Sequence, residues 1–133
     1  EGVGGIMVPI RRDYFVLDLI KAFGLPVLVV GRDGLGTVNH TVLTVDRLRS
    51  AGADVCAVVL NSAAAAADNE GDVSRESNAR HIEEILGAEV VRLPFLGRLG
   101  AGREDAALSV SGAEGFRRMC LGLAFDKNTD NCA

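Results

Sequence analysis

A parallel α/β sheet flanked by helices on both faces is the fold class that the sequence predicts, and three observations carry it. Short continuous apolar runs occur from Leu25 to Val30, from Val55 to Leu60 and from Val90 to Leu93. They are rich in valine and lack polar alternation, the pattern of strands buried on both faces. Segments of helical period stand between these runs, so strands and helices alternate as in right-handed βαβ units. At 133 residues and 14.0 kDa the chain has room for one domain or part of one.

Taken in order, the chain opens on Glu1-Gly2-Val3-Gly4-Gly5, a glycine loop with no strand before it, so the expectation is that the sequence begins inside a domain. Ile6 to Ile10 is a short apolar run stopped by Pro9 and the pair Arg11-Arg12. Asp13 is a suitable N-cap for a helix from Tyr14 to Phe23, with Phe15, Leu19 and Phe23 on one apolar face and Val16 and Ile20 beside them. Gly24 stands where a left-handed C′ residue belongs. Beyond the first strand, a second glycine loop from Gly31 to Gly36 leads into a helix from Thr37 to Ala51, lined by Val38, Val42, Val45 and Leu48 and closed by Gly52. The second strand ends at Asn61. Ser62 to Arg75 holds a five-alanine tract and then Asn69, Gly71 and Asp72, and reads as an exposed loop. A helix from Asn78 to Leu86 stops at Gly87, and Pro94 ends the third strand. Gly97 to Arg103 reads as loop, Ser111 caps a last helix reaching Phe125, and the tail from Asp126 to Ala133 reads as frayed.

Composition narrows the function. A formal net charge of −4 and 5% aromatic residues without Trp argue against a domain that grips nucleic acid by charge or stacks bases on aromatic rings. Cys56, Cys120 and Cys132 form no CxxC pair and have no metal-ligand spacing with His40 or His81. Their odd, scattered number fits a reducing compartment, and Cys56, inside an apolar run, reads as a buried thiol. No apolar stretch approaches the ~20 residues of a bilayer span, and no signal peptide is visible. The expectation is a cytoplasmic protein without a membrane partner.

Ligands on such sheets bind beyond the carboxyl ends of the strands. The loops there start at Gly31, Asn61 and Pro94, and Glu1 to Gly5 is expected at the same edge. Gly34-Leu35-Gly36-Thr37-Val38-Asn39 opens a helix straight after a buried strand, which aims free amide N–H groups and a positive helix end outward, suited to a carboxylate or phosphate. By pattern alone it is equally a tight turn with Thr37 as N-cap. It is not the dinucleotide fingerprint, since the third glycine position is Asn39. Glu1 beside a glycine turn can ligate Mg²⁺, or be merely solvated. Asn61 carries the donor and acceptor needed to read an adenine edge, or closes an Asx turn; Phe95 can wall a base, or belong to the core. His40 reads as a packing or capping residue. No Ser-His-Asp or Cys-His arrangement stands out, no G-x-x-x-x-G-K-[ST] occurs, and the only lysines are Lys21 and Lys127.

Together, Glu1-Gly2-Val3-Gly4-Gly5, Val8-Pro9, Leu25-Pro26-Val27, Gly34-Leu35-Gly36-Thr37-Val38-Asn39-His40, Leu43-Thr44, the strand ending in Asn61, and Leu93-Pro94-Phe95-Leu96 resemble dethiobiotin synthetase. The resemblance covers roughly Glu1 to Leu96 and rests on the pairing of E-G-x-G-G with G-x-x-N-H after the next strand. It implies a P-loop NTPase-like fold, of which residues 1–125 are the carboxyl-terminal portion of a single domain and 126–133 a tail. It implies an ATP- and Mg²⁺-dependent, homodimeric cyclo-ligase of biotin synthesis that joins CO₂ to 7,8-diaminononanoate. A carbamate forms on one amine, ATP phosphorylates it, and the neighbouring amine closes the ureido ring, helped by proximity and by neutralisation of the transferred phosphoryl group.

Carried over by residue, the resemblance makes Glu1 the Mg²⁺ ligand and places Glu1, Gly2, Val3 and Gly4 against the nucleotide. Asn61 and Ser62 resemble the adenine reader, and Pro94, Phe95 and Leu96 the segment closing over the base. Gly36, Thr37, Val38 and Asn39 resemble the seat for the diamine's carboxylate tail, contributed across the dimer interface. The family's P-loop and catalytic lysine precede the E-G-x-G-G loop, so no catalytic residue is expected here and the chain alone is expected to be inactive, with the other half supplied as a separate segment or chain. Gly34 stands where some relatives carry a lysine. The alternatives are a related P-loop amide-forming synthase of the cobyrinic acid diamide type, and a non-catalytic module that has lost the P-loop half.

Overall fold

The computed structural model describes residues 4–62 and 72–95. Glu1, Gly2, Val3, Leu96 and the expected last helix and tail lie outside the described residues. The chain starts with a small antiparallel pair, β1 (Pro9–Arg11) and β2 (Tyr14–Phe15), with Arg11 stacked over the Tyr14 ring at 5.2 Å. Helix α1 (Val16–Phe23) therefore begins two residues later than predicted. Asp13 is not its cap: Phe15 is the N-cap, and its backbone N–H donates to the Asp18 carboxylate at 2.9 Å. The buried side of α1 also differs from the Phe15/Leu19/Phe23 face. Val16 and Leu17 are buried and Ile20 packs against the core, whereas Phe23 is exposed. An eight-residue helix has little more than two turns, so the strand pair entering it decides which stripe turns inward.

The main sheet is parallel, in the order β3 (Val27–Arg32), β4 (Val55–Asn61), β5 (Val90–Leu93). Its connections are α2 (Thr37–Ser50) and, after a short 3₁₀ turn at Val73–Glu76, α3 (Asn78–Leu86). The bounds of α3 and β5 coincide with those predicted. In β3 the register runs two residues past the expected end, through Gly31 and Arg32.

Register and alternation sort the side chains by face. Val29, Val58, Leu60 and Val90 face one way and form the core with Leu17, Val45, Leu48 and Ile82. The helices described pack on this face. Val59 and Val91, of the opposite parity, are buried too, while Leu28 and Val30 on that side remain 41% and 59% exposed. Two polar contacts fasten α3: the Val90 N–H donates to the Glu83 carboxylate at 3.0 Å, and Arg49 of α2 donates to the Leu86 carbonyl at 3.3 Å.

The approach of α2 to β3 is set at Gly31. A Cβ there would lie 2.9 Å from the Thr41 hydroxyl, 3.2 Å from Leu60 and 3.3 Å from the Thr37 hydroxyl. Without that side chain the first turn of α2 rests on the strand backbone. Gly31→Ala is expected to lower stability by about 1–3 kcal/mol through overpacking, measured as the urea midpoint; an unchanged midpoint would mean that α2 lifts away freely.

Candidate functional site

The three strands end flush, since Arg32 pairs with Asn61 and Asn61 with Leu93. This brings three of the predicted segments to one edge: residues 36–39, Asn61 with Ser62, and Pro94 with Phe95. Backbone hydrogen bonds tie Asn61 and Ser62 to the residues that lead into the other two. Asp33 N–H donates to the Asn61 carbonyl at 2.9 Å, and Ser62 N–H to the Leu93 carbonyl at 3.0 Å. The described end of the glycine loop is close as well: Gly5 and Ile6 line a groove of about 460 Å³ together with Leu35, Thr37 and His40.

At the start of α2, Gly36 rather than Thr37 is the N-cap, in the left-handed region at φ 87°. The turn is closed by Thr37 N–H donating to the Gly34 carbonyl at 3.1 Å and His40 N–H to the Gly36 carbonyl at 3.2 Å. Thr37 is buried and its hydroxyl lies 3.4 Å from that of Thr41, so neither its hydroxyl nor its N–H faces solvent as a ligand group. Val38 N–H and Asn39 N–H meet no acceptor among the described residues, and Gly36 and Asn39 are exposed. Two unpaired amides at a helix N-terminus form a seat for an anionic oxygen. His40 is exposed at the groove and is not packed inside.

Asn61 is exposed at the end of β4 and its side-chain amide has no partner among the described residues, and Phe95 is 39% exposed beside Pro94. An amide that both donates and accepts, next to an apolar ring, fits a purine base. Ser62 has a different surrounding: its hydroxyl accepts from Arg75 Nη2 at 2.7 Å, which leaves one donor for any ligand.

Sequence reasoning misses the residues that hold this edge together. Asp33, read there only as part of a glycine loop, has a side chain with 0% exposure. It accepts from Arg92 Nη2 at 2.9 Å and Nε at 3.3 Å, and from Asn78 Nδ2 at 3.2 Å. Asp72 and Arg75, expected in an exposed loop, reach back to the site instead. Asp72 accepts the Leu35 N–H at 2.9 Å, the Ser74 N–H at 3.1 Å and the Ser74 hydroxyl. The one signal in the sequence is Arg92, a charge inside a predicted buried strand, which requires a partner. With these contacts every buried side-chain polar atom among the described residues is partnered.

Both Asp33 and Asp72 use both carboxylate oxygens in these bonds, and no three His, Cys, Asp or Glu side chains gather among the described residues. Cys56 is half-buried on β4 and donates to the Val27 carbonyl at 3.2 Å; burial pushes its thiol up, which makes it a poor nucleophile. No described helix is long and apolar enough to cross a membrane.

Comparisons with known proteins give the chain its family. Residues 1–101 match the family model described as an AAA domain, and the chain belongs to that family. Within it, the similarity is to dethiobiotin synthetases. The chain is 47% identical over 95 residues to the ATP-dependent dethiobiotin synthetase of Endomicrobium trichonymphae, covering 71% of this chain and 42% of that protein. It is 42% identical over 95 residues to the enzyme of the same name from Methanococcus vannielii (68% and 42% covered). With that of Aquifex aeolicus it shares 40% over 94 residues (71% and 40% covered). The match thus spans about two fifths of the length of these relatives.

The Asp72 clamp carries a pH prediction. The Ser74 hydroxyl above all, then the Leu35 and Ser74 N–H groups and the Arg75 charge, hold the Asp72 carboxyl below its usual range. A depressed carboxyl contributes stability above the unfolded pKa of about 3.9 and loses it as pH falls through the lower folded value. The Leu35 amide proton, followed by NMR, is expected to titrate with a midpoint below ~3.9. A midpoint at or above that value would show that the clamp is not formed.

Proposed function

We propose that this chain supplies the carboxylate-seating and base-reading part of an ATP-dependent cyclo-ligase that forms dethiobiotin from 7,8-diaminononanoate and CO₂. The observation that carries this reading is the flush strand edge. It sets the unpaired Val38 and Asn39 amides at one end and Asn61 with Phe95 at the other, in a chain similar over this span to ATP-dependent dethiobiotin synthetases.

In this reading the substrate's carboxylate tail sits on the Val38 and Asn39 N–H groups and on the Asn39 side chain, while Thr37 anchors the helix beneath. Fixing the tail fixes the distance at which the two amines present themselves, and ring closure gains from that proximity because both reacting groups belong to one molecule. Asn61 reads the adenine edge, Phe95 and Pro94 cover its face, and Ser62 donates its remaining hydroxyl proton. Gly2, Val3, Gly4 and Leu96 are assigned to the nucleotide as well, and Glu1 to Mg²⁺. The chain is the carboxyl-terminal portion of the enzyme, which acts as a homodimer with the carboxylate seat contributed across the interface.

ATP turnover by the full-length polypeptide with 7,8-diaminononanoate and bicarbonate tests the reading: phosphate release is expected to depend on the diamine, and release indifferent to it would defeat the proposal. Asn39→Ala is expected to raise the KM for the diamine about tenfold, the equivalent of one lost charge-assisted hydrogen bond, with little change in that for ATP. An equal rise in both would remove the carboxylate seat from residues 36–39.

A further inference from the structure

We infer that Asp33, Arg92 and Arg75 form a positioning device that holds the carboxylate-seating loop and the base-reading loops in one fixed arrangement, so that binding at both loops depends on the same contacts. The inference rests on the reading just given of what those loops bind. A closed ring of contacts carries it. Asp33 leads from β3 into residues 34–36, and its N–H donates to the Asn61 carbonyl. Its carboxylate accepts both nitrogens of the Arg92 fork, and Arg75 Nε stands 4.0 Å from the same oxygen. Arg75 continues to the Ser62 hydroxyl, Ser62 N–H donates to the Leu93 carbonyl, and Leu93 follows Arg92 in the chain. Asn78 adds a brace, donating from one amide group to the Asp33 carboxylate and to the Gly34 carbonyl at 3.3 Å.

Stability alone does not account for this ring. An ion pair with one partner buried is a weak source of stability, because desolvation of the Asp33 carboxylate offsets much of the attraction. Arg92 follows two buried valines in β5, and on its own face of the sheet it succeeds Val90. An apolar side chain would cover that face without burying a charge. What these contacts add is placement: both Arg92 N–H groups converge on Asp33 Oδ2 while Asn78 donates to Oδ1, which ties one carboxylate to β5 and α3 at once. That carboxylate begins the turn on which Val38 and Asn39 present their amides. A second arginine converges on the same oxygen and reaches the neighbour of Asn61. The ring therefore passes within three residues of Gly36, next to Asn61 and two residues before Pro94, while the Asp33 side chain is sealed from any ligand. Arg92 is 48% exposed, but its fork is turned to Asp33.

The test uses steady-state kinetics of the full-length polypeptide with ATP and 7,8-diaminononanoate. Arg92→Ala is expected to raise both KM values about tenfold, the scale of a small misplacement at a binding site, with kcat within about threefold of the wild type. Arg92→Lys, which keeps the charge but not the fork, is expected to fall between, and Asn39→Ala to move the diamine value alone. A lowered thermal midpoint with both KM values unchanged, or a rise in only one of them, overturns the inference. Should the alanine variant fail to fold, Arg92→Lys and Arg75→Gln carry the same comparison. Amide hydrogen exchange of the ligand-free protein separates this claim from the ligase reading. Breaking the ring is expected to quicken exchange at the hydrogen-bonded Leu35 and Thr37 amides and at that of Ser62 together, and leave Val45 and Leu48 unchanged. If the wild type shows no diamine-dependent turnover, the ligase reading fails, and exchange decides the coupling: acceleration at both loops upholds it, and acceleration at neither or at one overturns it.

Discussion

The carboxylate of Asp33 is closed off from water at the point where three parallel strands stop, and the arrangement of this edge depends on its being fully partnered. A buried carboxylate lacking donors would be costly, so the chain must bring donors to it from elsewhere. Arg92 comes from β5, Asn78 from the start of α3, and Arg75 from the turn before α3. These segments are 42 to 59 residues away in sequence, so satisfying one side chain fixes how both β-α connections fold over the sheet end. Leu35 is held in the same way from outside, by Asp72.

The framework is legible in the sequence because it follows from repetition. Valine-rich runs mark the three strands, and helical spacing with a closing glycine marks α3 to the residue. The edge where the candidate site lies follows from topology, since parallel strands joined by helices put their carboxyl ends on one side. What escapes is set by single long-range contacts. Asp13 has the right residue type for a cap, yet Tyr14 and Phe15 pair as a strand and pass the role to the Asp18 carboxylate. Thr37 looks like a cap, but its hydroxyl turns inward because Gly31 opposite leaves space for it. Asp72 and Arg75 sit in a stretch of loop-like composition, and nothing in local pattern shows that they reach back 37 and 42 residues.

The division of labour at the edge follows from the same geometry. Amides at the start of α2 favour a negative oxygen, and Asn61 with Phe95 favours a flat heterocycle with a polar rim. The carboxylates of Asp33 and Asp72 are engaged in holding loops, and burial makes the Cys56 thiol poorly nucleophilic. That is consistent with a segment spanning two fifths of its relatives. In the proposed ligase it contributes binding and orientation, on which a ring closure within one substrate molecule depends.

Gly31 acts as a gauge block under this arrangement. Because no side chain stands there, the first turn of α2 comes down on β3 with the Thr37 and Thr41 hydroxyls and Leu60 filling the space that a Cβ would need. An α-helix rises ~1.5 Å per residue, about half the length of an N–H···O contact. A slip of one residue in α2 would therefore carry the Asn39 amide out of reach of an oxygen it had just held. Where this edge presents its amides is thus set by a hydrogen atom in the place of a side chain.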